Sequence, residues 1–161
     1  MKSVRFAVAL AVVVAIAAFV VAQDKPWFDM EKCAMCTTLS SQPGLLEHLG
    51  WEHYKISNGL MSVTTCPEEY KETYKKAQEA MMAVQEKMKA GEKVYLDGFC
   101  TTYGELMMAG AKREQIETPT GNIVLITSND PKVIKKIQDF AQRTMDELAK
   151  METSMEEESG E

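Results

Sequence analysis

The stretch SNGLMSVTTCPEEY, residues 57–70, decides how the rest of the chain is read. Asn58-Gly59 is a two-residue hairpin signal, because both central positions of such a turn need positive φ. It separates two runs with strand character, Trp51–Ser57 and Leu60–Thr65. Pro67 then suits the first turn of a helix, where its missing N–H costs nothing, with Thr65 or Cys66 as N-cap candidates. Beyond it, Tyr70, Tyr74, Ala77, Met81, Val84 and Met88 fall on one face of a helix that Gly91 can end. The segment reads as a hairpin feeding a helix.

The same plan returns in TGNIVLITSNDPKVI, residues 120–134. Thr120-Gly121-Asn122 separates Gln115–Thr118 from Ile123–Thr127, Asp130 is the N-cap candidate and Pro131 starts the helix. Val133, Ile134, Ile137, Phe140, Ala141, Met145 and Leu148 then form its apolar face. Gly59 and Gly121 lie 62 positions apart, Pro67 and Pro131 lie 64 apart, and Cys36-Thr37-Thr38-Leu39 returns 64 positions later as Cys100-Thr101-Thr102-Tyr103. Collinear matches at nearly constant offset predict two similar units, about 30–90 and 93–151. Each opens with a helix, the first from about Met30 to Leu49 with a break at Pro43-Gly44, the second from about Thr101 to Ala111.

The expected fold class is therefore α+β: a tandem helix–β-hairpin–helix repeat forming one domain, residues 23–151, with a mainly antiparallel sheet. Ile123–Ile126 is apolar without alternation, which predicts a central strand covered on both faces. Lys93–Phe99 is a candidate fifth strand.

The ends of the chain read differently. Lys2 and Arg5 precede the apolar run Phe6–Val21, and Val20-Val21-Ala22 offers small residues for cleavage, so residues 1–22 read as an export signal. The run is short of the roughly 20 residues that span a bilayer, so no stable membrane span is expected after cleavage. Two of the 18 basic groups and none of the 24 acidic ones lie there, which leaves a net charge of −8 on residues 23–161. Five glutamates sit in residues 152–161, read as an acidic disordered tail, so the folded part is close to neutral. Nothing in it makes a footprint for nucleic acid.

Export changes how Cys33, Cys36, Cys66 and Cys100 are read, because thiols outside the cytosol tend toward disulfides or metal. Cys33-Ala34-Met35-Cys36 would place both sulfurs on one face near a helix start. Cys100 occupies the position equivalent to Cys36, so pairing the two units would bring Cys33, Cys36 and Cys100 together, with Met35, Met107 or Met108 nearby. Such a set suits Cu(I), or Zn(II) if a harder fourth ligand joins. Structural disulfides are the alternative; four cysteines allow three pairings. Cys66, beside Pro67, reads as an N-cap or a partner for Cys100.

The remaining candidates are quieter. His48 and His53 have no partners in sequence that make a nucleophile–base arrangement, and His53 is expected to face away from Tyr54, toward solvent. Most of the 12 methionines fall on core faces, and Glu68-Glu69 sit where a helix dipole favours negative charge. No phosphate-cradling glycine loop is present.

The CxxC, with Thr118-Pro119-Thr120 ahead of the apolar strand Ile123–Ile126, resembles the redox motif and proline loop of the thioredoxin family. That resemblance implies a thiol–disulfide oxidoreductase in which Cys33 attacks and Cys36 resolves. The chain departs from it where the family has a buried strand before the CxxC, since residues 23–32 contain Pro26 and several charges. The reading that covers most of these features is an exported, non-enzymatic binding protein with a cysteine cluster at the junction of two repeats. Its ligand would be copper, zinc or, with structural disulfides, a small molecule or protein partner.

Overall fold

The computed structural model describes residues 25–159, so the segment read as an export signal lies outside the described residues. Both hairpins form, but each turn lies ahead of its expected glycine: Ser57-Asn58 and Pro119-Thr120 join the strands, and Gly59 and Gly121 are already paired strand residues. Strand β1 (Gly50–Ile56) pairs antiparallel with β2 (Gly59–Thr65), and β3 (Lys112–Thr118) with β4 (Gly121–Thr127). The inner arms β2 and β4 then pair antiparallel, Gly59 opposite Thr127 and Thr65 opposite Gly121, giving one sheet of order β1-β2-β4-β3. The architecture is α+β with a four-stranded antiparallel sheet.

The helices are less regular than the strands. The expected first helix is two single turns, α1 (Thr37–Ser40) and α2 (Leu45–His48), parted at Pro43-Gly44 where Gly44 has φ +72°. Residues 30–36 do not join α1, because their amides are drawn elsewhere. The Asp29 carboxylate accepts from the Lys32 N–H, and the Ala34 N–H donates to the Tyr95 carbonyl. After a 3-10 turn at Glu68–Tyr70 comes α3 (Lys71–Lys89), which rests on α1 and buries only Ala77 of its apolar face. Lys93–Phe99 is not a strand: residues 92–97 run without a sheet partner, and Gly98 and Phe99 already belong to α4 (Gly98–Met108). The last helix, α5, runs Pro131–Ser159. The tail expected from residue 152 thus continues the helix to residue 159, in keeping with the helix preference of its Met and Glu.

Helix α5 lies along β1, β2 and β4. Its face Val133, Ile137, Phe140 and Ala141 meets Leu60 and Ile126 from the sheet, Leu106 from α4 and Trp27 from the N-terminal segment, and these residues form the core. Contrary to the expectation for Ile123–Ile126, β4 has buried side chains on one face only. Ile126 is buried, whereas Ile123 and Leu125 alternate to the other face, where they are half-buried beside Met61 and Val63.

His53 also corrects an expectation. It lies on the covered face opposite Ser62, with the Trp51 and Phe140 rings beside it, and Tyr54 is the exposed neighbour. Burial pulls its imidazole down to about 4. Between that value and the unfolded pKa near 6.5 the unfolded chain binds the extra proton. The stabilisation is therefore complete above pH 6.5 and is lost as pH falls to about 4, on the order of 3 kcal/mol in all. His53→Leu is expected to flatten the urea-stability profile across that window by about this amount. An unchanged acid slope in the variant would contradict the assignment.

Candidate metal centre

The site starts from one helix cap. Asp97 is the N-cap of α4, and its Oδ1 accepts the Cys100 N–H at 2.8 Å. Cap geometry thus places the carboxylate of Asp97 beside the thiol of Cys100. Cys33 and Cys36 lie in the turns before α1, and a set of backbone bonds ties that segment to the start of α4. The Gly98 and Phe99 amides donate to the Pro26 and Trp27 carbonyls at 2.9 Å each, and the Ala34 amide reaches the Tyr95 carbonyl at 3.0 Å. The Asp29 N–H donates to Asp97 Oδ2 at 3.1 Å.

This stitching brings the sulfurs of Cys33, Cys36 and Cys100 and a carboxylate oxygen of Asp97 within 4.8 Å of one another. Cys33 and Asp97 are 0 % exposed, Cys36 is buried and Cys100 half-buried. The Cys36 thiol donates to Asp97 Oδ2 at 3.1 Å and stands 3.8 Å from Cys100 Sγ. All four cysteines of the chain are free thiols.

The spacing can be compared with a metal's demands. Tetrahedral zinc with Zn–S bonds of about 2.3 Å sets its sulfurs about 3.8 Å apart. The Cys36–Cys100 separation already matches that edge. With no pair beyond 4.8 Å, closing the rest of the tetrahedron needs movements on the order of 1 Å.

The electrostatics point the same way. Hydrogen bonding from Cys100 and then Cys36 holds the Cys33 thiol far below the usual range. Cys36 is pushed up, first by its hydrogen bonding with Cys100 and then with Cys33. Cys100 is pushed up chiefly by its hydrogen bond to Cys33. A buried sulfur whose deprotonated form is favoured by two neighbouring thiols belongs to a cluster in which a cation can replace protons.

Three ligand candidates from the sequence, Cys33, Cys36 and Cys100, are therefore brought together. Asp97 is the residue sequence reasoning passed over, although a signal for it existed. The 64-residue offset that carries Cys36 to Cys100 also carries Cys33 to Asp97, so Cys33-x-x-Cys36 has Asp97-x-x-Cys100 as its counterpart.

The other candidates stay apart. Met107 packs against the core and Met108 is exposed, both at the far end of α4 from Cys100. Cys66 is buried elsewhere, its Sγ against the Pro67 carbonyl, and it neither caps a helix nor pairs with Cys100. His48 packs edge-on against Tyr70. An open groove of about 420 Å³ between α1 and α3 is walled by small residues such as Ala34, Ala80 and Ala83, with Lys87 as its one charged lining group. Among the described residues, no helix is long and apolar enough to cross a membrane.

Compared with known protein families, characterised proteins and solved structures, the chain matches none.

Proposed function

We propose that this is an exported, non-enzymatic metal-binding protein whose Cys33, Cys36, Asp97 and Cys100 hold one Zn(II). The observation that carries the reading is the fully buried Asp97 carboxylate within ligand distance of three thiols. A carboxylate is a poor ligand for Cu(I), which is satisfied by thiolates alone, whereas a Cys3Asp set suits zinc. Four protein ligands fill zinc's coordination and leave no position for substrate, so the centre binds and stabilises rather than catalyses. It also joins two stretches far apart in sequence, residues 26–36 and 95–100, so binding energy would become folding energy for the N-terminal segment.

The alternative of a Cys33/Cys36 oxidoreductase is less well supported, because Cys33 has no exposed surface with which to attack a partner's disulfide.

Titration of the reduced protein is expected to show one zinc per chain bound with sub-micromolar affinity; absence of such binding would sink the reading. Asp97→Asn, whose amide oxygen can still cap α4 but has lost the carboxylate charge, separates the two metals. It should weaken zinc at least about 100-fold and leave Cu(I) affinity within a few fold, since only zinc uses the carboxylate. Zinc affinity left unchanged by the substitution would return copper to first place.

A further inference from the structure

The four ligand groups of the cluster do not share one environment. Cys33 and Asp97 are fully buried, Cys36 is nearly so, and Cys100 alone is partly exposed to solvent. Any reagent that reaches the cluster therefore meets Cys100 first. Cys36 Sγ stands 3.8 Å from its sulfur, and Cys33, which also hydrogen-bonds with Cys100, is the more deeply buried of the two. A pair of thiols in contact, one accessible and one behind it, is the arrangement thiol–disulfide exchange requires: an attacking sulfur, then a resolving one.

We propose that Cys100 is a redox modification site, at which a low-molecular-weight disulfide is exchanged and Cys36 resolves the adduct, expelling the metal. The inference rests on the metal reading for the metal's loss and for the thiolate state of Cys100 and Cys36, which zinc ligation maintains. Cys100 sulfur, as thiolate, attacks one sulfur of the reagent RSSR; the reagent's S–S bond breaks, one RS⁻ leaves, and Cys100 carries a mixed disulfide. The Cys36 thiolate then attacks the Cys100 sulfur, and the second RS⁻ departs. Both RS⁻ ions take up protons from water. Two cysteine thiolates have lost two electrons, one disulfide has gained them, and zinc is left with Cys33 and Asp97, too few ligands to hold it. The product is a long-range Cys36–Cys100 link between the turns before α1 and the first turn of α4, rather than a local bridge within the CxxC. The metal occupancy of the site would thus follow the thiol–disulfide balance around it, falling as low-molecular-weight disulfide rises and recovering on reduction.

The test treats the zinc-loaded full chain with excess oxidised glutathione. Zinc release is followed with a chromogenic chelator, and the bridge is mapped by peptide mass after free thiols are alkylated. The expected result is release of the bound zinc on the order of tenfold faster than in buffer alone. The map should show Cys36 linked to Cys100, with Cys33 and Cys66 alkylated. Cys36→Ser should instead trap glutathione on Cys100, and Cys66→Ser should behave as the parent. A Cys33–Cys36 or Cys33–Cys100 bridge, glutathione trapped on Cys33, or a cluster inert to the reagent overturns the proposal. The two readings fail separately. A chain that binds no zinc disproves the metal centre, while the same map on the reduced, metal-free chain still decides which thiols react.

Discussion

Replacing Cys33 by alanine is expected to abolish the effect of zinc on thermal stability. In the parent protein, zinc at about a thousand times its dissociation constant adds about 4 kcal/mol to the folded state, which for a domain of this size raises Tm by about 15 °C. Cys33 is the ligand least able to be replaced by water, because its sulfur has no exposed surface and sits among the other three groups. Alanine leaves a methyl group and a small void there, and the remaining ligands lose a charge that balanced the cation. Zinc affinity should fall by at least about a thousandfold, equivalent to about 4 kcal/mol, so the two effects cancel. The measurement is a pair of melting curves, with and without zinc, on parent and variant. A zinc-induced shift retained in Cys33→Ala would place the metal elsewhere. The metal-free variant should lie within about 2 kcal/mol of the metal-free parent, since only a sulfur is removed from the packing.

Gly59→Ala and Gly121→Ala are expected to be the most damaging substitutions in the sheet, each costing on the order of 4 kcal/mol or more. Both residues have positive φ, +156° and +146°, which an L side chain rarely adopts. More decisive is the space: a Cβ at Gly59 would stand 1.9 Å from the Ile126 carbonyl oxygen, and one at Gly121 would stand 2.0 Å from that of Thr64. Those oxygens belong to the neighbouring inner strand, so the methyl could be accommodated only by opening the β2–β4 ladder that joins the two hairpins. Gly104 is the internal control. A Cβ there meets nothing within 4 Å, so Gly104→Ala in α4 should stabilise by about 0.5–1 kcal/mol. Urea midpoints on the three variants decide the matter. A cost below about 1 kcal/mol at Gly59 would contradict the inner pairing.

Much of the sheet was legible because its determinants are local. Asn58-Gly59 and Thr120-Gly121-Asn122 mark the two chain reversals by their own chemistry, although the residues left between the paired strands are Ser57-Asn58 and Pro119-Thr120, and every residue of the second hairpin falls 62 positions after its counterpart in the first. Helix α5 was legible for a related reason, since its repeating apolar face is wide enough to find a sheet by itself. The first helix was not. Residues 30–36 carry helix-compatible side chains, but their amides are claimed by Asp29 and by Tyr95, and Tyr95 is 61 positions from its partner Ala34. Lys93–Phe99 failed as a strand for a comparable reason: Asp97 turned out to be a cap, and a cap is recognisable only once the helix it starts is fixed.

The candidate site divides along the same line. The chain alone named Cys33, Cys36 and Cys100, through a three-residue spacing and an offset of 64, because sulfur chemistry and repetition are visible without coordinates. It did not choose between disulfide, redox and metal readings, nor between copper and zinc. Those turn on which atoms face one another within 4.8 Å, which of them water can reach, and whether a carboxylate joins the thiols. Asp97 looks like an ordinary surface acid in sequence. It becomes a ligand candidate only because capping α4 holds one of its oxygens while the folded N-terminal segment closes over the other. Short-range preferences settle turns and helix faces; contact between distant segments, and the desolvation that comes with it, settles chemistry.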